Sequence, residues 1–204
     1  MSYMIRKATL ISILLITSVF SGKAQFQKGD FSVGLSSNAV MFPDYGTKIG
    51  FGLTMQVFLD KNVSLNSNLH FGPNYVHMPI GVALAGLVFL SGDPSGCSNV
   101  SCNDDDYWGV VLLILFSEGI SIHVPIMNKL TFSPYVNPLG VDYWYQPTAA
   151  ADKPAFLFTL SAGMKMDIFA AENFNIAPYF EYKTIYGQSN SGFGAGITLN
   201  AVVR

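Results

Sequence analysis

The chain has 204 residues; half are hydrophobic and only 12 % are charged, about half the roughly 25 % of an ordinary soluble domain. Its mean hydropathy is +0.35, and with 19 Gly, 10 Pro and 16 Phe it is too rich in turn formers and aromatics for a helical bundle. These figures, with a net charge of −2, exclude a disordered chain, a coiled coil, a basic nucleic-acid binder and a disulfide-dense scaffold. An unusually apolar globular domain or a membrane protein remains.

Arg6 and Lys7 precede an apolar run over 8–20, and Ser21-Gly22-Lys23-Ala24-Gln25 follows. A basic start, a short apolar stretch and small residues at −3 and −1 (Gly22 and Ala24) read as a secretory signal cleaved after residue 24. An uncleaved anchor is the competing reading, but a spanning helix needs about 20 apolar residues. No Cys stands near the cleavage point, which excludes a lipoprotein. Without 1–24 the chain has eight basic and thirteen acidic residues, a net charge of −5. Nucleic acid is not an expected partner.

From residue 30 onward the chain alternates. Phe31, Val33 and Leu35 alternate with Ser32, Gly34 and Ser36; Phe51, Leu53 and Met55 with Gly52, Thr54 and Gln56; Phe158, Leu160 and Ala162 with Thr159, Ser161 and Gly163. Period two places the two sets on opposite faces of a strand. A soluble sandwich alternates too. Here, however, the polar faces are Gly, Ser, Asn and Thr, not Lys and Glu, and the strands reach the 10–15 residues of a tilted membrane strand. Backbone groups in lipid must all be paired, so such a sheet closes. The expected strands are 30–41, 48–59, 63–77, 119–126, 129–145, 155–168, 173–186 and 191–203. These define an all-β, eight-stranded antiparallel up-and-down barrel. Tight turns at 60–62, 127–129 and 170–172 fall on one side, the expected periplasmic side with both termini. Tyr143, Trp144, Tyr145 and Tyr186 fall where an aromatic girdle belongs.

On these features residues 25–204 resemble the small eight-stranded outer-membrane barrels of the OmpX/OmpA type, and the outer-membrane β-barrel proteins of Bacteroidota, whose signal peptides often end in Ala-Gln as Ala24-Gln25 does. The resemblance is one of pattern and carries no diagnostic motif. The chain ends Val202-Val203-Arg204, where many such barrels end in an aromatic residue, and 78–118 has no counterpart in a minimal barrel. What the resemblance implies is an outer-membrane location, not an activity.

The insertion 78–118 does not alternate. Pro79 opens an apolar run that closes at Ser91-Gly92, and Asn103-Asp104-Asp105-Asp106 precedes a second run. This punctuation predicts helices over 79–91 and 104–118, paired as an apolar hairpin on the extracellular side between strands 3 and 4. Both are too short to span and apolar all round, so they need burial. The outer leaflet, the barrel mouth or a partner protein would supply it. The expected contact residues are Val88, Leu90, Trp108, Leu112, Leu113, Leu115 and Phe116. The β-branched Val110, Val111 and Ile114 support a competing reading in which 75–90 and 107–117 add two strands, making ten.

Cys97 and Cys102, separated by four residues in an oxidising compartment, predict a local disulfide. No further ligands for zinc are near, and the Asp104–Asp106 run is a helix cap before it is a calcium site. No cofactor and no metal are expected. Lys165, Asp167, Glu181 and Lys183 project inward by parity and predict a charge network that plugs the lumen, with a transport pathway as the alternative. His70 and His123 also point inward, while His77 and Asp142 lie near the rim. Without a nucleophile elbow or metal cluster, lipid modification is the remote reading. The expected function is non-enzymatic: a structural or partner-binding barrel with a filled lumen. It would contact outer-membrane lipid and a membrane-protein partner through 79–118, as in an accessory subunit of a larger envelope complex. A small channel is the alternative.

Overall fold

The computed structural model describes residues 26–91, 116–144 and 155–204. Its strands are β1 (Phe31–Phe42), β2 (Gly46–Asp60), β3 (Val63–Phe71), β4 (Tyr75–Pro79), β5 (Gly119–Ile122), β6 (Val124–Met127), β7 (Leu130–Trp144), β8 (Ala155–Ala171), β9 (Phe174–Ile185) and β10 (Ser191–Val203), with a helix α1 (Ile80–Ser91) between β4 and β5. All pairings are antiparallel. β1 pairs β2 on one side and β10 on the other, from Phe31↔Val203 to Met41↔Phe193, and β2 pairs β3, so the sheet closes on itself.

Ten strands make eight staves because the fourth is composite. β4 supplies its upper part, pairing His77 with His70 of β3 and Pro79 with Gly140 of β7. β5 supplies the lower part, pairing Gly119 with Asn66 and Ile120 with Val136, and β6 continues along β7. On β3 the step from His70 to Asn66 is four residues; the path His77-Met78-Pro79-Glu118-Gly119 also takes four steps. Residues 80–117 are therefore spliced into a stave whose register on β3 runs on across the splice. On β7 the count is longer, and a bulge between Asn137 and Gly140 absorbs the difference.

Several expectations are corrected here. The single strand expected over 63–77 is a hairpin, β3 and β4, turned at Gly72-Pro73-Asn74 with the Gly72 N–H donating to Tyr75 O at 2.8 Å. The insertion does not leave from an extracellular loop between strands 3 and 4; it interrupts the fourth stave partway down the wall. Residues 75–79 are extended, as the ten-strand reading required, but they complete a stave and do not add one, and 80–91 is helical. α1 matches the first helix of the expected hairpin. Of the second, 104–115 lie outside the described residues; Phe116 is helical, and Ser117 and Glu118 are not.

The polarity of the barrel is the reverse of a soluble protein's. Outward positions carry large apolar side chains, Leu35, Phe51 and Phe180 among them, with Phe193 73 % exposed. Inward positions carry buried polar groups such as Ser64, Asn66, Asp167, Asn175 and Asn200. Water cannot solvate such an outer face cheaply, whereas lipid can.

Two apolar layers close the lumen. At the end bearing the termini, Phe26 stacks on Phe58 (4.1 Å between ring centres) and packs edge-on against Phe169, beside Val202. At the distal end Val40, Phe42, Tyr75, Trp144 and Ile185 pack together under Tyr45 and Leu157. Trp144 thus leaves the expected girdle: it faces inward, against Phe42 and Tyr45, with Lys48 Nζ 4.4 Å from its ring centre. The bulge at Asn137–Gly140 is the reason. One extra residue reverses the parity of everything beyond it, so Gly140, Asp142 and Trp144 turn in while Val141 and Tyr143 turn out.

α1 packs against β4 and β7. Val141 identifies the side. It faces outward beside Phe158, which is 51 % exposed, yet Val141 itself is 2 % exposed. It pairs with Met78, next to the end of β4 from which α1 departs, and the packing of α1 on β7 beside this buried outward residue places the helix on the lipid-facing wall.

Candidate functional site: the polar lumen and the neck of the insertion

Between the two apolar layers the lumen is polar. Its lower half is organised around His123. Ser64 Oγ lies 2.8 Å from Nε2, Ser133 Oγ lies 2.8 Å from Nδ1, and Ser133 donates on to Asp167 Oδ2 at 2.6 Å. Lys165 Nζ stands 3.8 Å from the other oxygen of Asp167. A serine, a histidine and an aspartate in series have the residue types of a hydrolytic relay. Ser64 is fully buried, however, and the Phe26 ring centre is 4.9 Å from that of His123. In this arrangement no substrate carbonyl reaches the hydroxyl, and the relay acts as a polar filling.

The middle is an amide and hydroxyl layer. Gln56 donates to Asn66 Oδ1 at 2.9 Å, Asn66 to Ser121 at 2.8 Å and Asn200 to Asn175 at 2.7 Å. Above it Tyr75 donates to Asn38, Asn38 to His70 Nδ1 and His70 Nε2 meets Ser36 Oγ at 2.6 Å. The open space left among these groups, beside Lys165, Glu181, Lys183 and His77, is about 50 Å³. That volume holds a few waters and excludes a substrate or a hydrated ion.

The third cluster sits where the insertion joins the wall. His77 Nδ1 is 2.5 Å from Asp142 Oδ1, and its Nε2 meets the Glu118 carboxylate. Lys183 Nζ is 2.9 Å from Asp142 Oδ1, and Asn68 donates to Glu118. His70 stacks on His77 with ring centres 5.9 Å apart. These residues come from β3, β4, the neck of the insertion, β7 and β9. All but the half-buried Asn68 are buried, where an unpaired charge is costly.

The four charges expected as a lumen network all lie in the lumen but do not join into one. Lys165 pairs with Asp167 in the lower half, Lys183 pairs with Asp142 higher up, and Glu181 accepts from Tyr135 at 3.1 Å. His77 and Asp142, expected near the rim, stand inside the barrel and are bonded to each other. Glu118, read in the sequence only as a helix end, is the residue that sequence reasoning missed. Its one signal is that a carboxylate closes an otherwise uncharged apolar run directly before a glycine. Of the expected contact residues, Val88 and Leu90 are in α1, and Phe116 is exposed beside the neck at 41 %. Cys97, Cys102, Trp108, Leu112, Leu113 and Leu115 lie outside the described residues. Among the described residues no group of three or more His, Cys, Asp or Glu could hold a metal ion.

A closed antiparallel sheet with a lipid-compatible outer face and a polar, packed interior defines a membrane-spanning β-barrel of the small eight-stave, outer-membrane kind. No family model and no curated protein matches the chain. Among solved structures it is similar to Ail, the attachment invasion locus protein of Yersinia pestis, at 9 % identity and a TM-score of 0.47, over 87 % of this chain and 100 % of that one. It is similar also to the N-terminal β-barrel domain of Pseudomonas aeruginosa OprF, at 10 % identity and a TM-score of 0.48, over 85 % and 98 % of the two chains. For OprG from the same organism the figures are 9 %, 0.47, 90 % and 100 %. The class rests on the barrel's own register and polarity.

Proposed function

We propose that this protein is a non-enzymatic outer-membrane barrel whose lumen is closed and whose working surface is the insertion 80–118, serving a structural or partner-binding role such as that of an accessory subunit in an envelope complex. One observation carries the reading: an apolar helix leaves the wall on its lipid-facing side, while both ends of the lumen are sealed by packed rings. A function through the lumen would need the opposite arrangement. The proposal includes cleavage of the signal near Ala24, periplasmic termini and a Cys97–Cys102 bond near the tip of the insertion. Thiol titration of natively purified protein reads that bond directly, and two free thiols would refute it. Site-specific photo-crosslinkers at Leu84, Val88 and Leu113, followed by mild-detergent purification, test the central part. The expected result is a discrete crosslinked membrane protein that also co-purifies with the unlabelled parent in mild detergent and is absent when 80–117 is deleted. Crosslinks to lipid alone would leave a structural role and overturn partner binding.

A further inference from the structure

We infer that His77 and Glu118 form a clamp that sets the position of the insertion against the barrel; its importance for partner binding rests on the reading above, whereas the clamp itself does not. The insertion has a single neck. Its exit at Pro79 and its return at Gly119 are neighbours in one stave, so among the described residues α1 is held to the wall by its own packing and by what ties the neck. Both ends of the neck carry an ionisable side chain: His77 two residues before the exit residue, and Glu118 one residue before the return.

Strand alternation through Gly119 and Ser121 would turn Glu118 outward, into hydrocarbon, where an ionisable group is costly. The chain turns it inward instead. Glu118 is fully buried, with its carboxylate against His77 Nε2 and Asn68 Nδ2. Its backbone is tied as well: the Glu118 N–H donates to Asn66 O at 2.6 Å, and Leu139 N–H donates to Glu118 O at 3.0 Å. One residue is thereby bonded to β3, β4 and β7 together. His77 is held in turn by Asp142, which also pairs with Lys183, so the tie spreads over β7 and β9. Gly119 brings the returning chain flush against β7, because a Cβ there would stand 1.9 Å from Val136 O. Register alone needs none of this, since the backbone ladder resumes at Gly119 whatever residue 118 is. The buried pair therefore positions the insertion and not the stave.

The test uses the full chain in dimyristoylphosphatidylcholine vesicles, with Cys97→Ser and Cys102→Ser. Spin labels at Leu84→Cys on α1 and Leu35→Cys on the far wall report the insertion; labels at Leu35→Cys and Phe158→Cys report the barrel. With the clamp intact, electron–electron resonance should give narrow distance distributions for both pairs. Glu118→Ala should at least double the width for the α1 pair and leave the barrel pair unchanged. If Glu118→Ala fails to insert, His77→Gln carries the same expectation, with Lys183 still paired to Asp142. An unchanged α1 distribution in an inserted variant, or equal broadening of both pairs, overturns the clamp. Broadening with unchanged photo-crosslinks would leave the clamp standing and overturn only its importance for partner binding, whereas crosslinks to lipid alone in the parent would overturn the partner reading and leave the clamp untouched.

Discussion

At Leu160 a single residue tests the inside-out polarity of the wall. It lies on the outward face of β8, opposite Thr184 of β9, between the inward Thr159 and Ser161. Leu160→Arg should cost about 2–4 kcal/mol of folding free energy near mid-bilayer, read by urea titration into vesicles; a variant that folds like the parent would contradict the assigned parity. Inside the barrel the sensitive residues are charges. Lys183→Met strands Asp142 with one partner fewer, and breaking a buried pair costs about 3–5 kcal/mol. Adding Asp142→Asn should recover most of that loss, because two neutral groups leave no charge unpaired; a double variant as unstable as the single one would show that the pair is not the source. The inward parity of Lys183 was legible in the sequence because β9 alternates without a break. Asp142 was not: the bulge at Asn137–Gly140 reverses its side, and nothing in an alternation pattern counts the extra residue.

Among the elements, the composite fourth stave was the least legible. Gly72-Pro73-Asn74 is a turn sequence, but apolar residues alternate on both sides of it, so two short strands read as one long one. The helix α1 was legible from Pro79 and the apolar run because helix punctuation is local. Its point of attachment was not, since that depends on pairing across residues far apart in the chain. The same holds for the cluster of His77, Glu118, Asp142 and Lys183, which only the topology gathers. The register makes a specific prediction. Deleting 80–117 joins Pro79 to residue 118 with no linker, and with Glu118→Leu the new stave alternates in step with β3. This variant should fold to a heat-resistant barrel with shifted gel mobility. Failure to fold would mean that the insertion is part of the scaffold.

For the molecule as a whole the decisive property is closure. Phe26, Phe58 and Phe169 fill one end and Phe42, Tyr75 and Trp144 the other, with about 50 Å³ of open space in the polar layer between them. An ion crossing this path would shed its water among side chains already paired to one another, at a cost of several kcal/mol. A role carried by the outer surface therefore requires a lumen that does not conduct. Planar-bilayer recording of the purified full-length protein in concentrated KCl measures this directly. A flat baseline after verified insertion is the predicted result; unitary current steps that scale with salt concentration would contradict it.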